Sequence, residues 1–258
     1  MNRITRLFQE TPGDILSIYF TAGFPNLHDT MSILTALQHG GADLVEIGMP
    51  FSDPVADGET IQQSNQQALD NGMTLALLFE QLETMRETIA LPVLLMGYIN
   101  PVIQYGVEAF CRKCEQVGVD GLILPDLPLE VYAEEYKPVF DRHGLLNVFL
   151  ITPQTSEARI RQIDALTEGF IYMVSSASVT GAKAGISDGQ EAYFQRIAAM
   201  NLKNPRIVGF GISNRETFEK ATRHARGAII GSAFVKLLLQ QGTSSEGISV
   251  YLKAVKGI

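Results

Sequence analysis

The chain has no tryptophan, only two cysteines and four histidines, and no basic run longer than the pair Arg112 and Lys113. Each scarcity removes a class of function. Lys and Arg number 20 against 28 Asp and Glu, a net charge of −8, which argues against a nucleic-acid partner because phosphate backbones demand clustered cations. No apolar run reaches the length of a membrane span and no secretory leader pattern is visible, so the chain is expected in the cytoplasm, away from membranes. Cys111 and Cys114 form C-R-K-C within a helical pattern. Without a second pair, a nearby histidine or a preceding strand, they read as small helix residues, not as a redox or zinc motif. The histidines (His28, His39, His143, His224) are expected on helices, at the ends away from a catalytic mouth and without ligand spacing, so no metal site is expected. None of the eight lysines falls in a predicted strand, which leaves a Schiff-base mechanism without a nucleophile.

What is present is an alternation. Short apolar runs at 15–21, 44–49, 92–98, 121–125, 146–152, 170–175, 206–211 and 228–231 read as strands. Helical patterns lie between them, near 27–39, 60–90, 107–117, 130–143, 156–166, 189–200, 214–225 and 233–256, often stopped by a glycine such as Gly40, Gly118, Gly144 or Gly227. Eight such pairs with no linker predict an α/β fold of the (β/α)8 barrel type, a single domain over residues 1–258. An open doubly wound sheet is the alternative, but T-A-G-F-P after the first strand is not a dinucleotide turn. The segment 3–9 reads either as a short extra helix or as a frayed terminus.

One segment breaks the apolar pattern. D-L-V-E-I-G-M-P-F-S-D-P-V-A-D-G (43–58) places Glu46 in the middle of an apolar strand and follows it with a loop bearing Asp53 and Asp57. An ionised group inside a buried strand costs several kcal/mol unless it is paired or neutral, so folding alone supplies no reason for it. A solvated edge strand is the alternative. Glycines and small polar residues gather after the last three strands, in S-S-A-S-V-T-G (175–181), G-F-G (209–211) and I-G-S-A (230–233). Backbone amides approach an anion where no Cβ intervenes, and a helix start at Ser232 adds its dipole, so the pattern points to a phosphorylated ligand. Carboxylates and hydroxyls at the mouth suit cofactor-free acid–base chemistry.

V-E-I-G-M-P-F-S-D-P-V-A-D-G-E-T-I-Q, T-A-G-F-P, M-G-Y-I-N-P, L-P-D-L-P, S-V-T-G, G-F-G-I and I-I-G-S-A occur in this order over nearly the whole chain. Together they closely resemble the tryptophan synthase alpha chain family. Glu59 stands where the family often has proline, and Ser176 where some members carry arginine. The resemblance implies a lyase that cleaves indole-3-glycerol phosphate reversibly to indole and D-glyceraldehyde 3-phosphate. It implies Glu46 as the acid–base carboxylate and Asp57 as the carboxylate that accepts the indole N–H. It further implies Gly181, Gly211, Gly231 and Ser232 at the phosphate. The insertion 176–190, rich in small residues and long for a βα connection, is expected to be a lid that brings Thr180 toward Asp57, with a permanently ordered loop packed on the sixth helix as the alternative. Tyr19, Ile61, Met96, Ile123, Tyr172 and Phe210 match positions around the indole, where ordinary barrel packing is an equal account. Asp53 and Asn100 match interface positions, with loop solvation as the alternative, and Phe51, Pro54, Pro101, Val102 and Ile103 would form an apolar docking patch beside them. The implied partner is a beta chain that carries pyridoxal phosphate (PLP), in an αββα assembly, with no cofactor in this chain. A stand-alone lyase, a silent regulatory subunit and a phosphosugar isomerase are the other readings.

Overall fold

The apolar runs fold as a ring of parallel strands. The structure, a computed structural model, describes every residue except 55, 56, 175–187 and 210 and the side chain of Asp188. The strands are β1 (Ile15–Thr21), β2 (Leu44–Gly48), β3 (Val93–Met96), β4 (Gly121–Ile123), β5 (Leu146–Val148), β6 (Leu150–Ile151), β7 (Ile171–Val174), β8 (Arg206–Gly209) and β9 (Gly227–Ile230). They pair in parallel in the order β5-β4-β3-β2-β1-β9-β8-β7-β6. Only Phe149 separates β5 from β6, so one bent strand pairs with β4 through its first half and with β7 through its second. The Phe149 carbonyl accepts the Tyr172 amide at 3.0 Å across that bend. The expected fifth run, 146–152, is thus a strand broken where the ring closes.

Alternate strand residues face two apolar layers. Ile15, Leu44, Leu94, Ile123, Val148, Tyr172, Ile207 and Ile229 pack inside the ring. Leu16, Ile18, Val45, Ile47, Leu95, Leu122, Ile171, Val208 and Ile230 pack outward against the helices. Burial on both faces is why these runs carry so few polar residues.

The helices are α1 (Arg3–Glu10), α2 (Thr30–Gly40), α3 (Glu59–Asp70), α4 (Leu75–Gln81), α5 (Met85–Thr88), α6 (Ile99–Tyr105), α7 (Val107–Val117), α8 (Leu129–Val131), α9 (Lys137–Arg142), α10 (Glu157–Leu166), α11 (Asp188–Ala199), α12 (Arg215–Thr222), α13 (Ser232–Gln241) and α14 (Ser245–Lys256). A π-helical turn, Tyr132–Tyr136, joins α8 to α9. The terminal segment is a helix and not a frayed end. Ile4 and Phe8 of α1 enter the inner cluster and plug the N-terminal end of the ring, and the Asn2 amide donates to the carbonyls of Asp120 and Gly144 at 2.8 and 3.0 Å.

Several expectations are corrected. The single pattern over 60–90 is three helices, and 233–256 is two, separated at Gly242 and Thr243. Gly227 does not stop a helix but opens β9, where a Cβ would meet the Ile15 carbonyl oxygen at 2.2 Å. His28 lies in a turn after β1, on the mouth side, with Gln81 Nε2 at 3.3 Å from its Nδ1. His143 and His224 lie just past the ends of α9 and α12, while His39 is in the last turn of α2. Cys111 and Cys114 are buried on α7, and burial pushes the Cys111 thiol up to about 12 and raises that of Cys114 well above the ordinary thiol value. Neither supplies the ready thiolate of a redox motif.

Candidate active site at the C-terminal end of the barrel

Inside β1, alternate positions carry Ile15, Ser17, Tyr19 and Thr21, so the inner face turns from apolar to polar along the strand. Next to it, β2 presents Leu44, Glu46 and Gly48, with Tyr19 and Glu46 in register. Glu46 is fully buried. Its Oε1 accepts the Ser17 hydroxyl at 2.8 Å, and its Oε2 has no hydrogen-bond partner among the described residues. Burial outweighs that hydrogen bond and raises the carboxyl from 4.5 to about 7.

The loop after β2 brings Asp57 to the same mouth. The Tyr98 hydroxyl donates to Asp57 Oδ2 at 3.1 Å. Burial raises the Asp57 carboxyl, and the tyrosine hydrogen bond opposes that rise. The Gln62 side-chain amide holds the Asp57 carbonyl at 2.7 Å, and Gly58 caps α3, so the aspartate sits at a fixed helix entrance.

Two tyrosines share this site, Tyr19 on β1 beside Glu46 and Tyr172 on β7. Tyr19 and Tyr172 are buried, and burial is the largest cause that raises both phenols. The charges of Glu46 and Asp57 both act on Tyr172 and on Tyr19, which places the four groups around one space. Their rings need glycine beneath them. A Cβ on Gly48 would meet the Tyr19 hydroxyl at 2.2 Å, and one on Gly209 would meet that of Tyr172 at 2.3 Å. Beyond Tyr19, at the mouth end of β1, Thr21 Oγ1 and Ser64 Oγ are 2.7 Å apart, a contact that ties β1 to α3.

Of the apolar residues named from the sequence, Ile61 (α3) and Ile123 (β4) are buried and Met96 (β3) is partly buried against both core layers. Gly211 has φ +78°, a conformation glycine adopts without strain, and Gly231 precedes the first turn of α13, which Ser232 opens. Thr180, Gly181 and Phe210, like the lid segment around Lys183, lie outside the described residues.

Asp53 and Asn100 are exposed, the latter in the first turn of α6. The Asp126 carboxylate accepts the Ile99 amide at 3.0 Å and so caps α6. Phe51 packs on Tyr98 with ring centroids 5.3 Å apart, which links the Asp53 loop to the start of α6. Val102 does not belong to the apolar patch: it points into the core, fully buried, whereas Ile103 is 51 % exposed.

Ser17, Gly48, Ser64 and Tyr98 were not among the expected site residues. For Ser17 a signal existed, because S-x-Y-x-T puts three polar groups on one face of an otherwise apolar strand. Among the described residues no group of His, Cys, Asp and Glu could hold a metal ion, and no helix is long and apolar enough to cross a membrane. The arrangement provides one carboxyl that changes protonation near neutrality, a second raised carboxyl, and apolar walls.

The family model described as tryptophan synthase alpha chain matches residues 8–256. The alpha chain of Flavobacterium johnsoniae is 63% identical over 243 residues, covering 94% of this chain and 96% of that one. That of Parabacteroides distasonis is 58% identical over 256 residues, 99% of this chain and 100% of the other. Among solved structures, the alpha chain from Legionella pneumophila superposes with a TM-score of 0.89 at 32% identity, covering 100% of this chain and 97% of its own. A chain of the tryptophan synthase complex from Pyrococcus furiosus superposes with a TM-score of 0.86 at 35% identity, covering 95% of this chain and 99% of its own.

Proposed function

The chain belongs to the tryptophan synthase alpha chain family, and from that premise we propose how its residues perform the reaction. It is the lyase subunit of L-tryptophan biosynthesis, cleaving indole-3-glycerol phosphate to indole and D-glyceraldehyde 3-phosphate in a reversible retro-aldol step. The observation that carries the mechanism is Glu46, buried with one donor and one unpartnered oxygen among the described residues.

Protonated Glu46 delivers its proton to indole C3, giving an indoleninium cation. Ionised Asp57 accepts the indole N–H and stabilises that cation by charge, a preorganised electrostatic effect. Glu46, now a carboxylate, takes the proton of the glycerol hydroxyl as the C–C bond breaks. The bond's electron pair returns to the ring, an aldehyde forms, and Glu46 regains its starting state. A carboxyl with a pKa of about 7 serves both half-steps near neutrality. Turnover should therefore fall above neutrality as Glu46 loses its proton, and fall at low pH as Asp57 gains one.

Tyr19, Ile61, Met96, Ile123, Tyr172 and Phe210 surround the indole in this reading. Gly181, Gly211, Gly231 and Ser232 hold the phosphate through backbone amides and the start of α13, with Thr180 beside them. The chain works with a beta chain, for which we propose an αββα heterotetramer docked through Asp53 and Asn100 with Phe51, Pro54, Pro101 and Ile103. PLP belongs to that partner. The cytoplasm is the proposed compartment for this biosynthetic step, and the whole chain is taken as one barrel domain.

The test is indole formation from indole-3-glycerol phosphate, followed by chromatography with and without a beta chain. Glu46→Gln should lower turnover by a factor on the order of 100 or more while substrate affinity changes little. Near-wild-type turnover of that variant would remove Glu46 from the chemistry.

A further inference from the structure

We infer that Ser17 is a positioning residue for the acid–base carboxyl: its hydroxyl holds Oε1 of Glu46 and thereby reserves Oε2 as the oxygen that exchanges protons with the substrate. The inference rests on the reading of Glu46 given above.

Three observations carry it. Ser17 and Glu46 are both without solvent exposure, so bulk water does not compete for the bond between them. Their contact is 2.8 Å, an ordinary hydroxyl–carboxyl hydrogen-bond length, and it joins neighbouring strands whose register is fixed by the ladder between Ser17 and Thr21. The second carboxyl oxygen is buried and has no partner among the described residues. A buried carboxylate oxygen without a donor is costly, so a fold that held Glu46 only for stability would be expected to satisfy both oxygens.

The two contacts give the oxygens different roles. When Glu46 is neutral, the oxygen that accepts the serine hydroxyl is the carbonyl-like one and the acidic proton sits on Oε2. When Glu46 is ionised, the serine donor stabilises the anion and opposes the effect of burial. Other polar groups share the space: Tyr19 from β1 and Tyr172 from β7, on which the charges of both Glu46 and Asp57 act. The two phenols stay neutral throughout the working range because their environment raises them, and Asp57 is an acceptor when ionised. The serine hydroxyl is the donor seated on Oε1, and that bond holds the carboxyl in one orientation.

The experiment compares Ser17→Ala, Ser17→Thr and the parent chain, each with the beta chain present. Two readouts are taken: the pH dependence of kcat, and the titration of the Glu46 carboxyl by carbon-13 NMR. In Ser17→Ala the NMR midpoint and the alkaline limb of kcat should both rise by about one pH unit, as loss of a charge-assisted donor implies. Peak kcat should fall roughly tenfold, the scale of one misplaced acid–base contact, with KM nearly unchanged. Ser17→Thr keeps the hydroxyl and suits a strand, so it should restore the parent midpoint and most of kcat. A parent-like midpoint in Ser17→Ala would overturn the inference, as would failure of threonine to restore a shifted one. If Ser17→Ala does not fold, Ser17→Cys replaces it and should give an intermediate shift, the thiol being a weaker donor. The titration does not depend on turnover. A Glu46→Gln enzyme that stays active would thus overturn the catalytic reading, while an unmoved midpoint in Ser17→Ala would overturn only the role of Ser17.

Discussion

The two ends of the barrel each bury a carboxylate and treat it in opposite ways. At the N-terminal end Asp120 is 3 % exposed and fully occupied. Its Oδ1 accepts Arg3 at 3.0 Å, and its Oδ2 accepts Arg86 at 2.7 Å and the Val93 amide at 2.9 Å. Arg86 also donates to the carbonyls of Gly118, Ile89 and Leu91, so the network closes on itself. At the C-terminal end Glu46 is equally buried, yet among the described residues it has one neutral donor, no ion pair and an oxygen with no partner. Charge neutralisation holds three segments of chain together at one end. At the other its absence holds a proton where it can be lent. The difference lies in the donors supplied, since burial is the same.

The largest expected effect would break the closed end. Asp120→Ala leaves Arg86 buried without its counter-ion and should cost about 3–5 kcal/mol of stability, read by denaturant unfolding. Indole formation by the folded fraction should be unchanged, which separates this carboxylate from the catalytic one.

The next sharpens the open end and has the opposite sign. Folding raises the Glu46 pKa from 4.5 to about 7, so the folded state resists ionisation. No cost exists below pH 4.5, where the carboxyl is protonated in both states. The cost grows as pH rises and is complete above about 7, where it reaches about 3 kcal/mol. Glu46→Gln should therefore match the parent's stability near pH 4.5 and exceed it by up to about 3 kcal/mol at pH 8, since it cannot ionise. Equal stability at both pH values would show that the buried carboxyl carries no such penalty.

The smallest effect concerns Asp57. Tyr98→Phe removes the hydroxyl that opposes its rise, so the acid limb of kcat should move to higher pH by about half a unit, the scale of one ordinary hydrogen bond. An unmoved limb would detach Tyr98 from the site.

The strands were legible because residues buried on both faces leave apolar runs, and Glu46 was legible as the interruption of one. The break at Phe149 was not, because it reflects closure of the ring and no local turn residue marks it. Helix α6 was missed because Pro101 suggests a loop. In fact it sits in the first turn, where its missing N–H costs nothing, and the capping carboxylate comes from Asp126, 27 residues away from Ile99. The same distance in sequence hid the donors. Ser17 is 29 residues from Glu46 and Tyr98 is 41 from Asp57, and Asp120 meets Arg3 across 117. Chemistry-bearing residues show in a sequence by violating the pattern around them. The groups that tune them come from other strands and look like ordinary serine or tyrosine until the ring closes.

The account's central claim is that the barrel keeps the Glu46 carboxyl poised between its two protonation states at neutral pH. Carbon-13 NMR of glutamate-labelled protein, with the resonance assigned by its loss in Glu46→Gln, measures that state without any substrate. The account predicts a titration midpoint near 7. A midpoint near the ordinary value of about 4.5 would contradict it.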